Sequence, residues 1–147
     1  MTVQAETVSG RVISVADGDT LTLLDAHHVQ HKIRLSGIDA PEKRQDFGFR
    51  AKSSLAAMAA GRLAVADCRK QDRYRRSICV VRVDGKDVGF EQIRQGMAWW
   101  YRQYAKDQSS QERVAYERAE AHASEQRIGL WREKQPTPPW EWRRIPR

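Results

Sequence analysis

Residues 10–42, GRVISVADGDTLTLLDAHHVQHKIRLSGIDAPE, carry the reading that decides the fold. Residues 10–16 alternate weakly between apolar and polar and run into Asp17-Gly18, a dipeptide that favours a tight turn. Residues 20–25 (TLTLLD) read as the returning strand. After a polar turn around His27-His28, residues 29–38 (VQHKIRLSGI) read as a third. The β-branched and leucine-rich content suits a three-strand meander. At Asp39-Ala40-Pro41-Glu42 the meander ends and the hydrophobic period changes.

Beyond a polar loop at 43–48, the Ala-rich segment 49–60 (FRAKSSLAAMAA) puts Leu55, Met58 and Ala59 on one helical face, with Gly61 as its stop. Residues 62–68 and 77–83 read as strands again, joined by the very polar Arg69–Arg76, and Asp84-Gly85 makes another turn. Phe90, Ile93 and Met97 fall at i, i+3 and i+7 and predict a helix ending near Gly96. A last helix starts at the capping-box pattern Ser109-x-x-Glu112, carries Ala115, Ala119 and Ala123 as a narrow seam, and ends by Gly129. From Gln135 the composition shifts to Pro136, Pro138, Pro139, Trp140, Trp142 and Pro146, which excludes regular helix or central strand. Its two tryptophans predict a tail lying against the domain. Three strands, a helix, two strands and two helices fit an α+β fold, a five-stranded OB-type barrel with helical additions. The expected organisation is an N-terminal tail over 1–9, one domain over 10–132 and a packed Pro/Trp tail over 133–147.

A chain of 147 residues makes one domain comfortably and two poorly. Lys plus Arg is 26 against 19 for Asp plus Glu, a formal charge of +7, which favours polyanions as partners. No apolar run approaches the ~20 residues of a membrane span. No HExxH, CxxC, GxxxxGK[ST] or GxGxxG pattern occurs, and His27, His28, His31 and His122 recur at no metal-ligand interval. Met1–Ala5 holds no apolar signal stretch, yet Val3-Gln4-Ala5 ends like a small-residue cleavage site. Two readings stand: an export signal replaced by an initiator Met, for a secreted or periplasmic protein, or the ordinary tail of a cytoplasmic one.

Asp17, Asp19, Asp39 and Glu42 are the acidic candidates. Strands one and three run in the same direction, so the turn after one and the end of the other lie at one end of the sheet. Hard cations such as Ca²⁺ require carboxylate and carbonyl oxygens converging in that way. Taken singly, Asp-Gly is an ordinary hairpin turn and Asp-x-Pro-Glu an ordinary helix start; their co-occurrence is what carries weight. Arg34 lies five residues before Asp39 and shares its face only if the strand is interrupted, for which Ser36-Gly37 is the natural place. Arg69, Lys70, Arg73, Arg75 and Arg76 cluster around Tyr74. Such a run is commonly a solvated loop, but arginines there can hold a phosphate through bidentate bonds. Trp99, Trp100, Tyr101 and Tyr104 read mainly as packing residues, Trp131, Trp140 and Trp142 as pins for the tail, and His122 as a packed or surface histidine.

The run D17-G18-D19-T20-L21-T22-L23 followed by R34-L35-S36-G37-I38-D39-A40-P41-E42 resembles the first motif of the staphylococcal nuclease family over 26 residues. D72-R73-Y74-R75-R76 resembles its second motif, with Arg75 where glycine is usual. R94-Q95-G96-M97-A98 and I128-G129-L130-W131 are similar to its helical half, so the resemblance covers about residues 10–132. It implies an OB barrel with three helices. It implies Ca²⁺ bound by the Asp19 and Asp39 carboxylates and the Ala40 carbonyl, and an attacking water oriented or deprotonated by Glu42. It implies Arg34 and Arg76 on the scissile phosphate and its pentacoordinate transition state. Tyr74, Tyr101 and Tyr104 become substrate-binding candidates, with Tyr101 or Tyr104 lining the nucleotide pocket. The Lys43–Gly48 loop is shorter than in the best-known member.

The resemblance therefore implies a Ca²⁺-dependent endonuclease cleaving DNA and RNA with little sequence preference, expected as a monomer with no membrane partner. The competing readings are a non-catalytic nucleic-acid-binding OB module and, on the Pro/Trp tail alone, a protein-interaction domain. Cys68 and Cys79 are symmetric about the Arg73/Tyr74 turn and face each other if the hairpin is regular. They are then either a disulfide, which fits an exported protein, or two reduced buried thiols.

Overall fold

The computed structural model describes residues 5–146, so the reading of Met1–Gln4 lies outside the described residues. Strands β1 (Glu6–Asp17), β2 (Thr20–Asp25), β3 (Gln30–Leu35) and β4 (Ile38–Asp39) precede helix α1 (Gly48–Ala59). Strands β5 (Leu63–Gln71), β6 (Ser77–Val83) and β7 (Lys86–Asp87), helix α2 (Val88–Arg94) and strand β8 (Trp99–Trp100) follow. Helices α3 (Ser110–Glu125) and α4 (Pro139–Trp142), with 3-10 turns at Arg102–Asp107 and Gly129–Arg132, complete the chain.

The sheet runs β3-β2-β1-β5-β6-β7, and a parallel pairing of Ile33–Leu35 with Ser77–Cys79 joins β3 to β6. Five strands thus close into a barrel, as the strand order predicts. Closure removes the exposed edges that an open five-stranded sheet would leave. Strand β1 begins at Glu6 instead of residue 10, because its first half pairs with β5 and its second half with β2. Gly10 takes part in both pairings, and a Cβ there would sit 2.1 Å from the Leu24 carbonyl oxygen.

Alternation sends Val12, Leu21, Leu23, Ile33, Leu35 and Val81 into a fully dry core. Each such side chain contributes roughly 1.5–3 kcal/mol of burial. Helix α1 covers one end of the barrel with Ala51, Leu55 and Ala59, while Met58 packs only partly. Gly61, at φ 75°, follows the helix as expected. Cys68 and Cys79 are cross-strand partners and form a disulfide.

Helix α2 ends near Gly96 as expected: it stops at Arg94, Gly96 turns at φ 70° and Met97 donates back to the Gln92 carbonyl at 2.8 Å. Three expectations are corrected. The third strand is not continuous over 29–38: Gly37 adopts φ 78°, and Ile38–Asp39 peel away to pair with Trp99–Trp100. On α3 Ala119 and Ala123 are buried as expected, but Ala115 is exposed and Tyr116 is buried in its stead; the Tyr116 hydroxyl donates to Asp87 at 2.6 Å, which satisfies the polar end of a buried ring. Finally, the tail contains one helical turn, begun by Pro139, whose missing N–H costs nothing at a first helical position.

Candidate active site

The β1–β2 turn, the end of β3, β4 and the β5–β6 turn open together on a cleft of about 690 Å³. Asp17 and Asp19 flank Gly18, and the Asp19 N–H donates to the Asp17 carboxylate at 3.0 Å. Gly18 is wedged between α1 and the Asp39-Ala40 segment, where an added Cβ would lie 2.6 Å from that of Ala51 and 2.7 Å from that of Ala40. Gln92, fully buried on α2, donates to the carbonyls of Gly18 at 2.8 Å and Ala51 at 2.9 Å. The acidic turn is therefore fastened to both helices.

Asp19 accepts from the Ala40 N–H at 2.9 Å and from the Thr20 hydroxyl at 2.9 Å. Burial pushes its carboxyl up, but the Arg34 guanidinium and these bonds bring it below the usual carboxylate range. Arg34 Nη2 stands 3.3 Å from Asp39 and 3.8 Å from Asp19. The break at Ser36-Gly37 is what allows this, since it returns Asp39 to the face that Arg34 occupies. Asp39 is completely buried, and its pKa is raised to about 6 by burial and by the charge of Asp19, against the pull of Arg34 and Arg143. Asp17 is raised to about 7, again by burial first and the Asp19 carboxylate second.

Asp39 Oδ2 is buried with no hydrogen-bond partner. An orphaned carboxylate oxygen beside a second carboxylate is the donor chemistry that a hard cation takes, so these residues fit Ca²⁺. Among the described residues no three acidic, His or Cys side chains are already gathered about one point. A second arginine bridges two of them instead. Arg143, at the end of α4, donates through Nη2 to Asp39 and through Nε to Glu42 at 2.5 Å.

Arg76 lines the same cleft and is held by Asp72, whose carboxylate accepts from its Nε at 2.7 Å and its backbone N–H at 2.9 Å. Asp72 also accepts from the Tyr74 N–H at 2.9 Å. These bonds keep the turn closed although Arg75, in place of a glycine, sits at φ 64°. Arg69 and Lys70 belong to β5 and not to the turn, and are ion-paired with Glu112 and Asp107; Lys70 lines the cleft. Tyr74 is exposed at the cleft mouth, its ring under Arg73 and Arg76 at 5.0 and 5.5 Å. Tyr101 and Tyr104 meet edge-on at 4.8 Å on the opposite wall, and the face of Tyr101 is stacked by Trp140 at 5.4 Å and 9°.

Asp19, Arg34, Asp39, Glu42, Arg76, Tyr74, Tyr101 and Tyr104 thus share one cleft, with Ala40 buried beside them. Trp140 pins the tail as expected, behind Tyr101. The sequence does not reveal Asp72 as the fastener of Arg76, nor Arg143. Nothing separates Arg143 from Arg144 or Arg147 in the sequence; only the one-turn helix aims it inward.

Residues 32–133 match the family model described as staphylococcal nuclease homologue. The chain belongs to the staphylococcal nuclease family. An uncharacterized endonuclease of Haemophilus influenzae is 38% identical over 134 residues, covering 91% of this chain and 72% of that protein. A micrococcal nuclease of Shigella flexneri is 35% identical over 144 residues, covering 92% and 80%. An uncharacterized endonuclease of Escherichia coli is 36% identical over 137 residues, covering 92% and 85%. Membership supports an endonuclease activity for this staphylococcal nuclease homologue. The matched region begins after Asp17 and Asp19.

Proposed function

We propose that the chain is a Ca²⁺-dependent endonuclease that hydrolyses DNA and RNA with little sequence preference, at the bond to the 5′ oxygen. The observation that carries this reading is the presence of Asp19, Arg34, Asp39, Glu42 and Arg76 around one cleft. Asp19, Asp39 and the Ala40 carbonyl would hold the ion, which supplies positive charge to the phosphate when bound. Arg34, fixed by two carboxylates, presents its guanidinium to a phosphate oxygen. Arg76 adds a second from the opposite turn, where charge builds up in the transition state. Glu42 accepts the proton of the attacking water. Tyr74, Tyr101 and Tyr104 offer ring surface to the nucleotide, and the net charge of +7 draws in the backbone with strong salt dependence. The Cys68–Cys79 disulfide supports residence in an oxidising compartment, outside the cytoplasm. Among the described residues no helix is long and apolar enough to cross a membrane.

Plasmid and RNA degradation with Ca²⁺, with Mg²⁺ and with chelator tests this. Cleavage is expected with Ca²⁺ and is expected to stop with chelator. Glu42→Gln should retain DNA binding and lose ~10²-fold in turnover, the scale of a positioned base. Asp19→Ala should be partly rescued by added Ca²⁺. DNA retention without cleavage under every metal condition would leave a binding module, and near-wild-type cleavage by Glu42→Gln would remove the assigned base.

A further inference from the structure

The C-terminal segment is built into the cleft wall. Pro139 is buried, and Gln45 donates to the Thr137 carbonyl at 2.5 Å. Trp140 is held between Trp99, edge-on at 5.5 Å, and the face of Tyr101 at 5.4 Å. Trp99 is itself packed on Trp131 at 4.4 Å. Four aromatic rings from three parts of the chain therefore fix the turn that ends in Arg143. That residue reaches Asp39 with one nitrogen and Glu42 with another. Its pKa is raised, since the carboxylates outweigh its burial, so it stays charged.

We infer that Arg143 is the resident counter-ion of this carboxylate site, that it holds Asp39 Oδ1 while the orphaned Oδ2 is left to a divalent cation, and that a cation arriving there repels it and so frees Glu42. The inference rests on the metal-dependent reading of the same residues. A guanidinium cannot shed its proton to make room, so an arriving dication meets a fixed like charge at contact range in a half-buried place, where repulsion is weakly screened. Arg34 cannot play that part equally. It is enclosed between Asp19 and Asp39 on the barrel wall and, among the described residues, makes no ion pair with Glu42. Arg143 alone, among the described residues, spans from Asp39 to Glu42. While it does so, the Glu42 oxygen that accepts from it is closed to a water proton. Metal entry and release of Glu42 then become one event. The same strap covers a face of Tyr101, so it restrains the nucleotide wall as well as the carboxylates.

Calorimetric titration of the full chain with CaCl₂ alone, with no nucleic acid present, reads this without reference to activity. Arg143→Gln keeps hydrogen-bonding capacity and removes the charge; it should bind Ca²⁺ ~10-fold more tightly than wild type. Arg143→Lys keeps the charge and should stay within about threefold of wild type. Trp140→Ala, which loosens the strap and leaves the carboxylates intact, should also tighten binding. The rise in melting temperature on adding Ca²⁺ should be larger for Arg143→Gln than for wild type, because a tighter ligand stabilises more. Equal or weaker Ca²⁺ affinity in Arg143→Gln, with clear binding by wild type, would overturn the inference and leave the nuclease reading standing. No Ca²⁺ binding by either protein would overturn both.

Discussion

The side-chain amide of Gln92 donates to the carbonyl of Gly18 at 2.8 Å, across 74 residues of chain. It donates also to Ala51, and its oxygen accepts from Ser54 at 2.7 Å, so one fully buried side chain joins the acidic turn, α1 and α2. Replacing it with leucine keeps the volume and takes a donor from the Gly18 and Ala51 carbonyls, while the Ser54 hydroxyl keeps Gln95 at 3.1 Å. Gln92→Leu should lose about 1–3 kcal/mol of stability, the scale of an unmet buried hydrogen bond. Urea denaturation checks it. A loss under about 1 kcal/mol would show that the turn does not depend on this fastening.

Asp72 both closes the β5–β6 turn and holds Arg76. Asp72→Ala should therefore lower kcat by ~10-fold with little change in Ca²⁺ affinity, because the arginine is still present but no longer aimed. Adding Arg76→Ala to that variant should cost less than it does in wild type, since both changes act on one group. Fully additive losses in this double-mutant cycle would place Asp72 outside the path through Arg76.

The disulfide closes a loop of sequence separation 11. Its removal by paired Cys68→Ala and Cys79→Ala substitutions should cost about 3 kcal/mol on the loop-entropy model. Thiol titration of the unfolded, unreduced protein should find no free sulfhydryl, and two free thiols would remove the support for an oxidising compartment.

At the far end of the β2–β3 hairpin, Asp25 accepts from His31 Nε2 at 2.7 Å and from the N–H groups of Val29 and His27 at 3.0 and 2.8 Å. The His31 bond first, then the Val29 N–H, hold its pKa down at about 2. A depressed carboxylate stabilises the fold above its unfolded pKa of about 3.9 and loses that contribution as pH falls through the folded value. Asp25→Asn should accordingly be less stable than wild type at neutral pH, and the gap should shrink between about pH 4 and pH 2. A gap that stays constant over that window would mean the charge contributes nothing.

The barrel was legible because its cues are local: period-two alternation in β1 and β2, Asp-Gly turns and a glycine stop after α1 each act within a few residues. The carboxylates were legible for the same reason, as Asp17, Asp19, Asp39 and Glu42 sit at turns that the meander places at one end. Ala115 was misread as core because alanine spacing cannot reveal that Tyr116 finds Asp87 for its hydroxyl. The strand break at Gly37 was foreseen only as a bulge, since its pairing partner, Trp99–Trp100, lies some sixty residues on. Arg143 was out of reach altogether. Its placement depends on Trp140 meeting Trp99 and Tyr101, and no periodicity records which rings will meet.

The parallel seam between β3 and β6 is only three residue pairs long, yet Arg34 sits within it and Arg76 immediately precedes it. The two arginines proposed to meet the phosphate, 42 positions apart in sequence, are brought to one side of the barrel only when that seam zips, a pairing of residues 44 positions apart that neither flanking hairpin supplies. Cleaving power should therefore emerge late in refolding, lagging behind the hairpin signals that report β1 with β2 and β5 with β6. A chain caught with its barrel ajar would hold every side chain the chemistry needs and remain harmless to any nucleic acid near it.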